Sequence, residues 1–320
     1  MFERILVPLD GSKAAESVLP YVERLAFRAG NELILLHIID PQVPLNHPDY
    51  GAFMRRPTQI AKKKAQEYLR GVAEGLQTAR IPVAVRTIIG PAASRILSTA
   101  ESQRAGLVAI TSRGRGAGDT WPYGSIADRI LHHSRVPVLL VRPGTEPESQ
   151  QSYFQSLVVP LDGSWTAETA LPPARELAGR LNVGIHMFQA VPTPWQARAV
   201  LGWDVMEEPA ADVDPMQDGR DYLDRVAGAL SQERNWADGT VVVGAAVPSI
   251  LDFAREKEGT LIIMCTAGSR GVGARWRVGS VAERMIRHSE VPLLLVPPRL
   301  APHLRREMQL MEAVPVGVPV

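Results

Sequence analysis

The sequence predicts an α/β fold made of two doubly wound domains, each with a mostly parallel sheet that helices cover on both faces. Short apolar runs rich in β-branched residues alternate with stretches of helical periodicity, which is the pattern of a parallel sheet with crossover helices. The whole series occurs twice in the same order. A chain of 320 residues also suits two domains of about 100–200 residues each.

Recurring segments indicate that the chain holds two copies of one domain. The copies share ILVPLDGS at 5–12 with LVVPLDGS at 157–164, GPAASRI at 90–96 with GAAVPSI at 244–250, and VPVLLV at 136–141 with VPLLLV at 291–296. Chance similarity would not preserve their order and spacing. We therefore expect a first domain over 1–145, a polar linker over 146–152, a second domain over 153–300 and a C-terminal tail over 301–320.

The elements of the first copy follow in order from its local patterns. The apolar run Arg4–Leu9 suits a buried strand, and Asp10-Gly11-Ser12 then combines a turn with a helix N-cap candidate. Apolar residues at helical spacing from Val18 to Ala26 predict the first helix. The remaining strands are expected at Glu32–Ile39, Val83–Ile88, Leu107–Thr111 and Val136–Val141, and the remaining helices at about 58–79, Ala92–Gln103 and 125–133.

Composition excludes several classes of protein. A formal net charge of +1 argues against a nucleic-acid binder that relies on bulk electrostatics. The single cysteine, Cys265, rules out an internal disulfide framework and a cysteine-rich zinc site. The chain contains no apolar run of the 18–20 residues or so that span a bilayer, and it begins without a signal-peptide pattern. We therefore expect a cytoplasmic protein without a membrane partner.

Two segments of each copy are placed to bind a ligand, because doubly wound sheets bind ligands beyond the carboxyl ends of their strands. One segment is the Asp10 turn, whose carboxylate suits ribose hydroxyls. The other is the glycine-rich stretch 111–118 with Gly124-Ser125. Glycines let backbone N–H groups approach a ligand, and a helix N-terminus attracts anions. The sequence has neither a Walker A loop nor a dinucleotide fingerprint after its first strand.

These residues resemble the universal stress protein family. The family pattern is a V-P-x-D-G-S-like strand end, a Gly-x-x-Gly-x9-Gly-Ser/Thr loop and a closing V-P-V-L-L-V strand; the three features occur twice, over about residues 1–300, as in a tandem of two UspA-like domains. The resemblance implies a five-stranded sheet of order 3-2-1-4-5 in each domain. It also implies adenine nucleotide binding and pairing of the two copies as an intrachain pseudo-dimer, with a homodimer left open.

The family's nucleotide site maps onto numbered residues in each copy. The first site comprises Pro8, Leu9, Asp10, Ile38, Ile39, Thr111, Arg113, Gly114, Arg115, Gly124, Ser125 and Ile126. The second comprises Leu161, Asp162, Thr266, Gly268, Ser269, Gly279, Ser280 and Val281. Counting back from Gly-Ser aligns Thr266 with Thr111 and Ser269 with Gly114. Because Ser269 then replaces a glycine, we expect the first site to bind nucleotide better than the second.

The leading hypothesis is a nucleotide-responsive stress protein that binds ATP with Mg²⁺, or ADP or AMP, and acts through protein partners whose identity the sequence does not reveal. No catalytic residue and no dedicated metal site are expected, since Mg²⁺ would come with the nucleotide. Two alternatives use the same residues. One is an enzyme that hydrolyses ATP slowly or phosphorylates itself at Ser125. The other is a dimeric scaffold that binds no nucleotide.

Overall fold

The computed structural model describes residues 1–29, 31–40, 55–77, 81–112, 124–145, 153–193, 214–231, 236–267, 278–300, 303 and 305–306. The chain divides into two compact units. The first runs from Met1 to Tyr153, and the second from Phe154 to Pro298. The described residues after Pro298 belong to the first unit: Leu300 is buried, and His303 Nε2 lies 3.4 Å from the carbonyl oxygen of Ala105.

The first unit contains a parallel sheet of strand order β3-β2-β1-β4-β5. Its strands are β1 (Arg4–Pro8), β2 (Glu32–Ile39), β3 (Val83–Ile89), β4 (Leu107–Thr111) and β5 (Val138–Val141). All three residues at the centre of β1, which are Ile5, Leu6 and Val7, are fully buried. Because successive side chains point to opposite faces, both faces of this sheet are covered.

The second unit repeats this sheet with the order β10-β9-β6-β7-β8, again with parallel pairs throughout. Its strands are β6 (Ser156–Pro160), β7 (Ile185–Val191), β8 (Ala237–Val243), β9 (Thr260–Cys265) and β10 (Leu293–Val296). The predicted α/β class and the strand order 3-2-1-4-5 are therefore confirmed in each unit.

Helices connect the strands in both units. In the first they are α1 (Lys13–Glu16), α2 (Leu19–Ala29), α3 (Arg55–Gln77), α4 (Ala92–Ser102) and α5 (Ser125–His133), and in the second α6 (Trp165–Glu168), α7 (Leu171–Leu181), α8 (Pro215–Ser231), α9 (Ala246–Arg255) and α10 (Ser280–His288). None of the helices described is long and apolar enough to cross a membrane.

The first predicted helix is two helices in the structure. Helix α1 is a single turn that ends at Glu16, with Ser17 as its C-cap, and α2 begins at Leu19. Pro20 explains the break, because proline has no N–H to continue a helix and is tolerated only in a first turn. The helical spacing of the apolar residues hid this interruption.

The fifth strand begins at Val138, two residues later than predicted. The N–H and carbonyl groups of Val136 are bonded to the Ser134 hydroxyl, at 3.2 and 2.6 Å. Pro137 has no N–H to give to the ladder, although its carbonyl accepts the Val108 N–H at 3.0 Å. A local turn thus occupies the first part of this apolar run.

Candidate functional site

The turn after β1 places a carboxylate at the carboxyl edge of the first sheet. The Asp10 Oδ1 atom accepts the Ser12 N–H at 2.9 Å and the Ser12 hydroxyl at 2.6 Å. Gly11 between them has a φ of +81°, in the left-handed region that favours glycine. The Ser12 Oγ atom in turn accepts the Ala15 N–H at 3.1 Å and so caps α1. This sequence therefore folds into a turn that holds its own aspartate.

The second unit builds the same turn after β6. Asp162 Oδ1 accepts the Ser164 N–H at 3.0 Å, and Gly163 has a φ of +79°. Ser164 Oγ donates to Asp162 and accepts the Ala167 N–H at 3.2 Å, which caps α6. The duplicated residues thus produce duplicated geometry.

A cavity of about 510 Å³ lies at the carboxyl ends of β1, β2 and β4 in the first unit. It brings together eight residues of the predicted first site: Pro8, Leu9, Asp10, Ile38, Thr111, Gly124, Ser125 and Ile126. Ile39 does not line it, because successive residues of a strand point to opposite faces and Ile38 takes the cavity side. Arg113, Gly114 and Arg115 lie outside the described residues.

The N-terminus of α5 forms one wall of this cavity. Gly124 is the N-cap residue, with φ −67° and ψ 151°, and no side chain of the described residues caps the helix. The Gly124 N–H itself donates to the Ser112 carbonyl at 2.8 Å. The following first-turn N–H groups, at a wall lined by Ser125 and Ile126, carry the partial positive charge of a helix N-terminus. This wall is chemically suited to an anion.

Sequence reasoning missed several residues that line the cavity. They are Ala15, Leu36, Asp40, Ala92, Ile96, Ile110, Ser112, Ala127 and Ile130. Five are apolar residues of helices, whose helical periodicity was a usable signal, and Leu36 and Ile110 are apolar residues of strands. Asp40 had a stronger signal, because it directly follows β2, at the sheet edge where Asp10 stands two residues after β1. Its Oδ2 atom accepts the Ala92 N–H at 3.3 Å, at the start of α4.

Thr111 stands where the family pattern has its first glycine. Thr111 is the last residue of β4 and pairs with Val141, in extended backbone outside the left-handed region. A side chain is therefore accommodated here without backbone strain. The departure from the family pattern adds a side chain at this position and does not alter the backbone conformation.

The strand register corrects the predicted alignment of the second loop. The Thr266 N–H donates to the Val296 carbonyl, and the Thr266 carbonyl accepts the Gly279 N–H. In the first unit Ser112 makes both of these bonds, to Val141 and Gly124. Thr266 is thus the counterpart of Ser112, and aligning it with Thr111 was wrong. The reason is one extra residue between Thr266 and Gly279, which counting back from Gly-Ser could not reveal.

This register changes the argument about glycines. Gly268 follows Thr266 by two positions, as Gly114 follows Ser112, so Gly268 rather than Ser269 is the counterpart of Gly114 by this count. Gly268 and Ser269 both lie outside the described residues. The expected weakness of the second site therefore needs support other than Ser269.

The other predicted residues of the second site take equivalent places. Leu161 is buried, and its N–H donates to the Phe188 carbonyl, as that of Leu9 donates to Leu36. Gly279 is the N-cap of α10, with a φ of −66°, and Ser280 and Val281 begin that helix.

Cys265 is the counterpart of Thr111, since it pairs with Val296 as Thr111 pairs with Val141. Burial raises the pKa of its thiol, and a hydrogen bond with Thr169 offsets only part of that effect. A protonated, buried thiol acts as a small apolar group and a poor nucleophile. Within the described part of the chain, no group of three or more His, Cys, Asp or Glu side chains is placed to hold a metal ion.

Comparison with known proteins agrees with this geometry. The model of the universal stress protein family matches residues 1–142 and 154–297. Universal stress protein Rv2623 of Mycobacterium tuberculosis is 28% identical over 300 residues, which are 91% of this chain and 95% of that protein. Universal stress protein Rv2319c of the same organism is 24% identical over 322 residues, covering 92% and 99%.

A solved structure of a universal stress protein from Archaeoglobus fulgidus superposes with a TM-score of 0.69 at 23% identity, over 92% of this chain and 98% of that one. A putative universal stress protein from Pseudomonas aeruginosa gives 0.62 at 14% identity, over 98% of each. These likenesses concern the fold. The two matches to the family model show that the chain belongs to the universal stress protein family, as a tandem of two domains.

Proposed function

We propose that the first unit binds an adenine nucleotide, as ATP with Mg²⁺ or as ADP or AMP, and that the chain acts as a stress-response sensor through protein partners. One observation carries this proposal. A single cavity connects the Asp10 carboxylate, across an apolar wall, with the N-terminus of α5, which no side chain of the described residues caps. Nucleotides need these three environments together, for hydroxyls, phosphates and a base.

Each part of the nucleotide has a chemically suitable region in the cavity. The side chains of Ile38, Ile96 and Ile110 offer apolar surface to a base. Asp10 offers a carboxylate to ribose hydroxyls, and the first-turn N–H groups at Ser125 suit phosphate oxygens. The volume of about 510 Å³ falls in the range of about 300–1,000 Å³ that is usual for small-molecule sites.

Mg²⁺ would enter with the phosphates, since it keeps several waters and takes few protein ligands. Among the residues that the structure describes, the carboxylates that line the cavity are those of Asp10 and Asp40. Each of these carboxylates also holds a backbone N–H, of Ser12 and of Ala92 respectively. That structural duty favours a binding role over a proton-transfer role, which supports a sensor more than an enzyme.

The second unit supports the same function less well, through different residues from those first expected. Pro192 follows β7 where Asp40 follows β2, so one carboxylate is lost. Phe188 takes the place of Leu36, and Cys265 takes that of Thr111. The proposal therefore keeps the preference for the first unit.

Calorimetric titration and thermal shift with MgATP, ADP and AMP test the proposal, with Gly124→Val and Gly279→Val as matched variants. A ligand at about 100 times its Kd stabilises the native protein by about 2.7 kcal/mol. A Cβ at Gly124 would meet its nearest atom, the Ser112 carbonyl oxygen, at 3.9 Å, so the variant should fold. Its side chain would crowd the phosphate end of the cavity, and we expect binding to fall at least tenfold.

The outcomes separate the hypotheses. Gly279→Val should leave the tightest binding event unchanged, and an equal loss in both variants would refute the preference for the first unit. Absence of any response to ATP, ADP and AMP would overturn nucleotide binding and favour the scaffold. Steady phosphate release that Asp10→Ala abolishes would establish the enzyme instead.

A further inference from the structure

A tyrosine–glutamate hydrogen bond occurs at the same place in both units, and neither Tyr68 nor Glu16 of the first unit lines the cavity. The Tyr68 hydroxyl on α3 donates to Glu16 Oε1 on α1 at 2.8 Å. The Tyr222 hydroxyl on α8 donates to Glu168 Oε1 on α6 at 3.0 Å. Both bonds are partly buried, and each joins residues more than 50 positions apart in the chain.

Each glutamate is the last residue of the one-turn helix that follows the site aspartate. Glu16 ends α1, whose N-cap Ser12 donates its hydroxyl to Asp10. Glu168 ends α6, whose N-cap Ser164 donates to Asp162. The tyrosine and the carboxylate of the site are therefore connected through a single helical turn in each unit.

A helix of four residues needs support from outside itself. Forming a first turn fixes several backbone dihedrals for very few hydrogen bonds, so an isolated turn is unstable. In α1 the backbone bonds are those of Glu16 to Ser12, at 3.1 Å, and of Ser17 to Lys13, at 3.2 Å. A bond from a neutral hydroxyl to a carboxylate is among the stronger side-chain bonds, and here it anchors the end of the turn opposite the cap.

The Tyr222 hydroxyl remains protonated and can therefore donate its hydrogen bond over a wide range of pH. Burial, and then the Glu168 carboxylate, raise the pKa of Tyr222 above its usual range. Its hydroxyl therefore keeps its proton at neutral and mildly alkaline pH. The Asp162 carboxylate of the turn raises the pKa of Tyr222 further.

We propose that Tyr68 and Tyr222 are positioning residues, which hold Asp10 and Asp162 in place at the sheet edge by anchoring the helical turns that follow them. For the first unit this inference rests on the proposed nucleotide site. A purely structural role would attach α3 and α8 to the body of the protein and would leave the aspartate turns unaffected.

Local hydrogen exchange separates these two roles. Tyr68→Phe keeps the ring and removes only the donor. We expect exchange in a peptide over residues 9–17 to accelerate about tenfold, because the Ser12 and Ala15 N–H groups there depend on the turn. Exchange over residues 104–111, which contain β4, should not change. Tyr222→Phe is the matched control and should accelerate only residues 161–169.

A mutant cycle tests the bond itself. Glu16→Ala should match Tyr68→Phe, and the double variant should be no worse than either alone. Glu16→Gln should retain slow exchange, because its amide oxygen still accepts the hydroxyl. AMP affinity of the first unit should fall about threefold to tenfold in Tyr68→Phe and remain unchanged in Tyr222→Phe.

Three results would overturn the inference. They are unchanged exchange over residues 9–17 in Tyr68→Phe, equal acceleration over residues 104–111, and accelerated exchange with unaltered AMP affinity. If the wild-type protein binds no nucleotide, the proposed function is wrong, whatever the exchange measurements show. The exchange measurements at both turns then decide whether the tyrosines position the aspartates.

Discussion

The two units keep the same backbone and differ in what they present to a ligand. Both have the same strand order, the same aspartate turn and the same tyrosine–glutamate bond. The residues around the sheet edge diverge: Leu36, Asp40 and Thr111 correspond to Phe188, Pro192 and Cys265. The two units therefore share the hydrogen bonds at the carboxyl edge of the sheet and differ in the side chains that would contact a nucleotide. Mutations in matched pairs can separate these two kinds of residue.

The largest contrast is expected from removing the aspartates. Asp10→Ala takes away a carboxylate that lines the cavity, and a hydrogen bond to a charged group contributes roughly 1.5–3 kcal/mol. We expect AMP affinity to fall at least tenfold by calorimetry, and Asp162→Ala to leave that binding event unchanged. Equal effects of the two variants would show that the units contribute alike.

The next contrast concerns the glycines of the two turns, which should behave alike. A Cβ at Gly163 would meet no atom within 4 Å, so Gly163→Ala tests the backbone alone, at a φ of +79°. Left-handed backbone costs a residue with a Cβ about 1–2 kcal/mol, and Gly11 has nearly the same φ. Urea denaturation should show that Gly163→Ala and Gly11→Ala each lower the free energy of unfolding by about 1 kcal/mol. Gly163→Asn should lose less, since asparagine tolerates this conformation, and an unchanged midpoint in Gly163→Ala would contradict the strain argument.

The sequence was sufficient for features with strong local signals. Strand β4 and helix α5 have the predicted bounds, because Gly106 and Gly124 mark where each begins. Two other boundaries differed from prediction, at Pro20 between α1 and α2 and at Pro137 before β5. A proline removes a backbone hydrogen bond without changing the apolar pattern, so the pattern did not reveal these boundaries.

The candidate site was predictable only in part, for physical reasons. Asp10 was identified, but its bond to Ser12 depends on turn geometry. The extra residue between Thr266 and Gly279 became visible only through the bonds that cross the sheet. Partners such as Tyr68 and Glu16 are 52 positions apart, so no local pattern connects them.

A smaller contrast is expected at the ends of β2 and β7. Asp40→Ala removes the side-chain acceptor of the Ala92 N–H at the start of α4, and losing such a cap costs about 0.5–2 kcal/mol. The bond is long, at 3.3 Å, so we expect about 0.5 kcal/mol by urea denaturation. Among the described residues, the N-cap residue of neither α4 nor α9 caps its helix with a side chain. Pro192→Asp would offer α9 the kind of acceptor that Asp40 gives α4, and it should stabilise the second unit slightly. Loss of stability in Pro192→Asp would show that the two strand ends are not equivalent.

The smallest contrast concerns Cys265 and appears only at alkaline pH. Burial raises the pKa of the thiol above its ordinary value of 9.0. Below that value the native and unfolded forms both hold the proton, and stability does not depend on this group. Above it the unfolded chain releases a proton that the native protein retains, so stability falls as pH rises.

Cys265→Thr tests this effect by giving the second unit the residue that the first unit has at Thr111. We expect the wild-type denaturation midpoint to fall more steeply than that of the variant from about pH 8 to about pH 10. Tyr222 also has a raised pKa, but it is present in both proteins, so its contribution cancels in the comparison. Parallel curves would mean that the thiol ionises as readily in the native protein as in the unfolded chain. Its buried position at the end of β9 would then not isolate it from solvent, and the second unit would be more open at its sheet edge than its buried residues indicate.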